Sequence, residues 1–246
     1  MAGKEYYEGR LMEANTILHS NLVSCLNLDS IEVRGGNTTK GDLVGTISGE
    51  KFPISIKYGS QKNTQVHLPT LKSFALEMKM PDEIQQLLSK WLGVTLTTEF
   101  DSWLNGLSPT KSQKKYKRLF ATDIPEWYKV VNWFNENKTK LAKLLIQSMN
   151  DEHPAKYLVW INKKTNQFQV IDTDILIDWI SKECTWVTGP RNNGSTLRCE
   201  YDEKPIFHLQ MKGSGGTDGE YNHNPQFHIH TNWPKNSIIH EGILTA

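Results

Sequence analysis

The chain is predicted to be an α/β protein with a mixed central sheet flanked by helices, followed by a β-rich C-terminal region. Three patterns predict this. A stripe at helical spacing (Tyr7, Leu11, Ala14, Leu18, Leu22, Cys25) runs straight into short alternating segments between Ser30 and Tyr58. Helical periodicity returns at 68–92 and 123–149. After residue 156, short strand-like runs alternate with turn residues. The expected division is a core over 1–110, a basic helical segment over 111–155 and a β-rich region over 156–246.

The first element is a helix over Gly3–Leu28, with Glu13 offset from its apolar stripe and Gly9 permitting close approach to a neighbouring backbone. Ser30–Arg34 reads as a strand, and Gly35–Thr39 as a polar loop delivering Asp42. Two alternating runs follow, 42–48 and 52–58, separated by Gly49-Glu50. A two-residue II′ turn there sets Ser48 opposite Lys51, Val44 opposite Ser55 and Asp42 opposite Lys57. Asp42, Ser55 and Lys57 then share one side of the hairpin, and the apolar residues take the other.

A carboxylate beside an ammonium on a sheet rim suits metal-assisted cleavage of a phosphodiester. Asp42 would hold a divalent cation, while Lys57 orients a water or meets developing charge. The plainer reading is a solvated cross-strand charge pair, worth about 0.2–1 kcal/mol. Composition leaves both open: among 246 residues, 28 basic against 27 acidic side chains give a net charge of +1, so any basic surface must be local. Three cysteines without C-x-x-C spacing argue for a reducing compartment and against a zinc ribbon. The charged N-terminus lacks an apolar signal core, and the expectation is a cytoplasmic protein.

The order helix, strand, strand, strand carries Gly9-x-Leu11-x-Glu13, then Lys40-Gly41-Asp42, then Pro53-Ile54-Ser55-Ile56-Lys57. This resembles the PD-(D/E)xK nuclease core, and within it the small monomeric type II restriction endonucleases of the MspI group. The resemblance implies a monomeric, Mg²⁺-dependent enzyme cutting double-stranded DNA at a GC-rich site of four to five base pairs, with a companion methyltransferase in the host. It assigns Asp42, the Ile56 carbonyl and Glu13 to the metal, Lys57 to the water and transition-state charge, and Ser55 to a supporting role. Ser55 departs from the family, where an acid or amide stands, and Gly41 replaces the motif's proline. A hydroxyl is a poorer ligand for a hard cation, which favours one metal over two. The polar, turn-like run Tyr58–Gln65 matches a DNA-approaching loop, with Gln65 and Asn63 near base edges and Lys62 near phosphate.

Two amphipathic helices are expected over Leu68–Met80 and Pro81–Leu92, covering the sheet's other face, the second opened by Pro81 and Asp82. Lysines cluster between Lys111 and Lys143, a pattern that suits phosphate contacts or a solvated helix face. Asp123–Met149 is expected to be one helix opened by a D-x-x-E signal, its aromatics in the core and Trp133 partly exposed. Strands at 156–161 and 167–172, opening a second sheet region, and a helix at 172–182 follow; then come short strands at 185–188, 195–199, 206–211 and 226–229.

Glycines at 213, 215, 216 and 219 allow backbone near a ligand, and Lys212, Ser214 and Asn224 are available to phosphates or base edges. Gln226-Phe227-His228 resembles the Gln-Phe-basic segment of the MspI group, and Gln226, His228 and His230 share one side of a strand. The competing zinc or HNH reading of His208, His223, His228 and His230 lacks a recognised ligand spacing, and no Walker loop is present. Two alternatives stay open beside the restriction enzyme: a structure- or mismatch-specific nicking nuclease, and a catalytically inert sequence-specific DNA-binding protein.

Overall fold

The structure is a computed structural model that describes residues 15–34, 42–59, 63–67, 69–93, 119–147, 154–190, 194–211 and 224–245, with backbone alone for 63–67. In chain order its helices are α1 (Thr16–Leu26), α2 (Leu71–Met78), α3 (Asp82–Leu92), α4 (Trp127–Glu136), α5 (Lys138–Ile146) and α6 (Thr173–Glu183). Its strands are β1 (Ser30–Val33), β2 (Leu43–Ile47), β3 (Glu50–Gly59), β4 (Asn63–His67), β5 (Tyr157–Asn162), β6 (Gln167–Asp172), β7 (Thr185–Thr188), β8 (Thr196–Tyr201), β9 (Lys204–Met211), β10 (Pro225–His230) and β11 (Ile238–Ile243). Two compact units result: Met1–Val66 with Ala142–Glu183 and His230–Ala246, and His67–Leu141 with Cys184–Ile229.

The first unit is built on a six-stranded sheet of order β1-β2-β3-β5-β6-β11. Only β3 and β5 run parallel; the other neighbours are antiparallel, so the sheet is mixed, as expected. Helix α1 lays Leu18, Leu22 and Leu26 on one face of it, against Leu43, Ile54, Ile56, Val159, Ile161, Phe168 and Val170. The described helix starts at Thr16, where Asn15 is extended and its side-chain oxygen accepts the N–H groups of Ile17 and Leu18 at 2.9 and 3.1 Å; residues 3–14 of the expected helix lie outside the described residues. That is an N-cap, which satisfies donors the first helical turn leaves open. The hairpin at 157–172 does not open a second sheet region. It inserts beside β3, and β11, which the sequence reading missed, closes the sheet against β6. Burial on both faces of β3 from Phe52 to Ile56 follows from that central place.

The other sheet has the order β4-β10-β9-β8-β7, and β7, β8, β9 and β10 up to Ile229 belong to the second unit. Strands β10, β9 and β8 alternate strictly enough that Phe207, Leu209, Leu197, Cys199, Phe227 and Ile229 are buried while His208, Gln210, Gln226 and His228 on the other side stay partly exposed. The apolar side meets this unit's own helices: Phe74 of α2 lies 5.1 Å from Phe227, and Phe134 of α4 lies 4.9 Å from Trp186 (ring centroids). Helices α2 and α3 are present as expected, but they belong to this unit, with α2 on this sheet, and not to the unit of the first sheet whose other face they were expected to cover.

The single helix expected over 123–149 is broken. A 3-10 turn at Ala121–Asp123 precedes α4, and Asn137 separates α4 from α5. Trp133 is buried rather than partly exposed, edge-on to Phe134 at 5.2 Å. Of the described lysines of the basic run, Lys129, Lys138 and Lys140 have partners within the protein, while Lys143 is exposed. Lys140 donates to the Met78 carbonyl at the end of α2 (2.8 Å), Lys138 to the Cys184 carbonyl (3.0 Å), and Lys129 pairs with Glu83. A cation at a helix C-terminus satisfies an orphan carbonyl and the dipole together. Lys111, Lys114, Lys115, Lys117 and Arg118 lie outside the described residues.

Candidate active site

The β2–β3 turn has Ser48 (φ 51°) and Gly49 (φ 82°) at its centre. Two successive positive φ values make a type I′ turn, not the II′ turn expected at Gly49-Glu50. Ile47 therefore faces Glu50, Val44 faces Pro53 and Leu43 faces Ile54, and the Asp42 N–H donates to the Ile54 carbonyl at 2.9 Å. The expected pairings of Asp42 with Lys57 and Val44 with Ser55 are thus displaced by two residues. A slip of two, unlike a slip of one, returns every side chain to its original face. Asp42, Ser55 and Lys57 still converge.

Their geometry is a bridge, not a simple ion pair. Asp42 Oδ2 accepts the Ile56 N–H and the Ser55 hydroxyl, the latter at 3.4 Å, and stands 3.9 Å from Lys57 Nζ. Lys57 Nζ donates to Ser55 Oγ and to the Ile56 carbonyl, each at 3.0 Å. Ser55 is fully buried, whereas the Asp42 and Lys57 side chains keep 23% and 18% exposure, so the charged ends reach solvent and their hydroxyl link does not. The backbone N–H and hydroxyl give Asp42 directional partners, holding the carboxylate in place more firmly than the longer ion pair alone.

Three oxygens of different kinds meet here: the Asp42 carboxylate, the Ser55 hydroxyl and the Ile56 carbonyl. Hard oxygen donors fit Mg²⁺, which tolerates one or two carboxylates with water completing its shell. The set is sparse, since among the described residues no group of three His, Cys, Asp or Glu side chains gathers to hold a metal. Glu13 lies outside the described residues. The fit is therefore to one cation bound largely through water, in the space Lys57 borders.

The expected DNA-contacting residues fall into three groups. Lys62, Lys212 and Ser214, with the glycines at 213–219 and His223, lie outside the described residues. Asn63 and Gln65 sit on strand β4 instead of a loop. Asn224 precedes β10, and Gln226 and His228 occupy alternate positions on it, partly exposed on the side shared with His230. Sequence reasoning named His208 only in the zinc reading, and it missed Gln210 and the cross-strand pairing that β9 supplies. Gln210 stands opposite Gln226, and His208 opposite His228, with the two imidazoles stacked at 4.5 Å and 8°. The buried-exposed alternation of β9, already visible as polar residues at 208 and 210, was the signal that could have found them. Burial pushes the His228 pKa below the ordinary imidazole value, and its Nδ1 is buried without a hydrogen-bond partner among the described residues.

No protein-family model matches the chain, and no curated protein matches it. Solved structures do. Restriction endonuclease MspI in complex with its cognate DNA is similar over 86% of this chain and 76% of that one, at 14% identity and a TM-score of 0.45. HhaI endonuclease in complex with DNA is similar over 90% and 86%, at 13% identity and a TM-score of 0.29. Similarity this distant does not carry activity from one protein to another, and the chemistry has to be read from the side chains.

Proposed function

We propose that this chain is a Mg²⁺-dependent endonuclease that hydrolyses phosphodiester bonds of double-stranded DNA at a short sequence, acting as a monomeric type II restriction enzyme. The observation that carries the reading is the Asp42–Ser55–Lys57 cluster, in which one carboxylate, one ammonium and a backbone carbonyl converge on the edge of a buried hydroxyl. Asp42 and the Ile56 carbonyl, with Glu13, would hold the cation, which when bound supplies Lewis-acid polarisation of the phosphoryl group and a more acidic water. Lys57 orients the attacking water and meets negative charge as it develops on the phosphate. Ser55 fixes both charged groups to one point.

The polar side of β10 and β9 suits base edges, because glutamine amides pair with adenine bidentately and with other bases singly. Gln226 and His228 are its central members, Asn224, Asn63 and Gln65 are further candidates, and Lys62, Lys212 and Ser214 would add phosphate or base contacts. A GC-rich target of four to five base pairs and a companion methyltransferase belong to the same reading.

Digestion of DNA of known sequence tests it: discrete Mg²⁺-dependent fragments are expected. Lys57→Met should lower cleavage by about 10²–10⁴-fold while specific binding survives, and undiminished cutting by that variant would contradict the assignment. The presence of Ser55 where an acid would ligate the metal favours a second reading, a DNA-binding protein without cleavage. Tight sequence-specific binding with intact DNA under both Mg²⁺ and Mn²⁺ identifies that case.

A further inference from the structure

The Lys57 side chain leans one way. Its ammonium donates to Ser55 Oγ and the Ile56 carbonyl, each at 3.0 Å, and stands 3.9 Å from Asp42 Oδ2. Asp42 leads into β2 and its N–H donates to the Ile54 carbonyl, so the ammonium is drawn from β3 towards the β2 side. On the β5 side, Leu158 is the register partner of Ser55 and Trp160 that of Lys57. Alternation puts all four on the sheet face away from α1, since Ile54, Ile56, Val159 and Ile161 belong to the cluster that α1 covers. Leu158 and Trp160 are both buried.

The Trp160 ring is itself held in place. Trp233 meets it edge to face, with ring centroids 6.1 Å apart at 71°, and Trp233 Nε1–H donates to Gln169 Oε1 at 3.1 Å. An indole N–H only donates, so the end of the Gln169 amide that meets it has to be the oxygen. The amide nitrogen is then the end that faces Glu241, whose Oε1 accepts it at 2.5 Å. Gln169 is the β6 partner of Trp160, and Glu241 the β11 partner of Gln169. Lys57, Trp160, Gln169 and Glu241 thus form one row across four strands of the first unit, and neighbouring strands lie about 4.8 Å apart.

We propose that Trp160 is a positioning residue for Lys57: its anchored indole fills the β5 side, so the ammonium is held over Ser55 and Asp42. The inference rests on the nuclease reading above and adds to it the group that keeps Lys57 where water and phosphate would meet it. A lysine stem is flexible, and its ammonium forms hydrogen bonds in many directions. A fixed wall beside the stem removes the rotamers that lead away from the cluster.

Acetylation of Lys57 in the full chain without DNA, followed by mass spectrometry, reads this placement independently of activity. Trp160→Ala should speed it several-fold, and Trp160→Phe, which keeps a ring, should stay near the wild type. Gln169→Met removes the acceptor of Trp233 at a half-buried position and should also speed it, which covers the case of a Trp160→Ala chain that does not fold. On DNA that the wild type cuts, Trp160→Ala should lower kcat roughly ten- to a hundred-fold with KM near the wild-type value, and Trp160→Phe should restore kcat. Hydrogen exchange separates placement from packing: in Gln169→Met the β3 amides should exchange at the wild-type rate while acetylation rises. Both rising together would make Trp160 a core residue only and overturn the proposal. Acetylation unchanged in the folded variants, or a cleavage defect confined to KM, overturns it as well. A wild-type chain that cuts no DNA overturns the nuclease reading instead, and the acetylation rates still decide whether Trp160 places Lys57.

Discussion

Ser55 touches both charged members of the cluster and has no exposure to solvent, so its hydroxyl links Asp42 to Lys57 where water cannot replace it. Ser55→Ala removes that link without adding bulk. The expected stability loss is about 1 kcal/mol, while kcat for DNA cleavage falls by roughly ten- to a hundred-fold as Lys57 loses its placement. KM should stay near the wild-type value. Comparing the kcat and KM of the two proteins checks this, and equal kcat values would leave Ser55 a packing residue. His228 offers a separate, pH-dependent test. Its folded pKa is lowered by burial, so its contribution to stability is complete above the unfolded value of about 6.5 and is lost as pH falls through the folded pKa. Thermal melts at pH 7.5 and 5.5 should show the wild type losing more stability on acidification than His228→Asn.

At the level of elements, the sequence was legible where a period or a cap imposed itself. Alternation placed β2 and β3, and the stripe Leu18-Leu22 placed α1 on its sheet. The II′ turn failed because the choice between Ser48-Gly49 and Gly49-Glu50 depends on whether a serine accepts positive φ, and the hydrogen bond from the Ser48 N–H to the Asp29 carboxylate at 2.6 Å, which accompanies that conformation, comes from nineteen residues away. The break at Asn137 was hidden for a similar reason. Its side-chain amide donates to the Trp133 carbonyl at 2.9 Å, a local bond that accompanies the end of α4 and leaves no mark in the apolar pattern. Strand β4 was hidden because Asn63-Thr64-Gln65 is polar, and pairing in a sheet, not propensity, makes it a strand. The turn itself is testable. Gly49→Val places a β-branched residue at φ 82° and should cost about 1–2 kcal/mol, although an added Cβ would meet nothing within 4 Å. Chemical denaturation measures the loss, and a neutral result would mean the turn can relax to negative φ.

Across the whole molecule, the sheet that carries Asp42 and Lys57 is assembled from distant parts of the chain. Strand β3 takes β5 as its parallel neighbour some hundred residues later, and β11, near residue 240, completes the far edge through β6. A serial reading of the sequence could see each strand but not that order, because long-range pairing leaves no local period. The arrangement makes the candidate active site depend on residues that never approach it. Leu244, just past β11, is buried in the same apolar cluster as Ile54 and Ile56, and losing one such leucine alone costs about 2–5 kcal/mol. Removing residues 238–246 also strips β6 of an antiparallel partner, leaving its backbone groups to water. The truncated chain should therefore show faster hydrogen exchange in β5 and β6, a lower unfolding midpoint, and reduced DNA cleavage although every residue of the Asp42–Ser55–Lys57 cluster is intact. Hydrogen-exchange mass spectrometry alongside a cleavage assay makes the comparison. Exchange confined to the last residues, with cleavage at the wild-type rate, would mean that the β2–β3 hairpin is held by α1 and β5 alone.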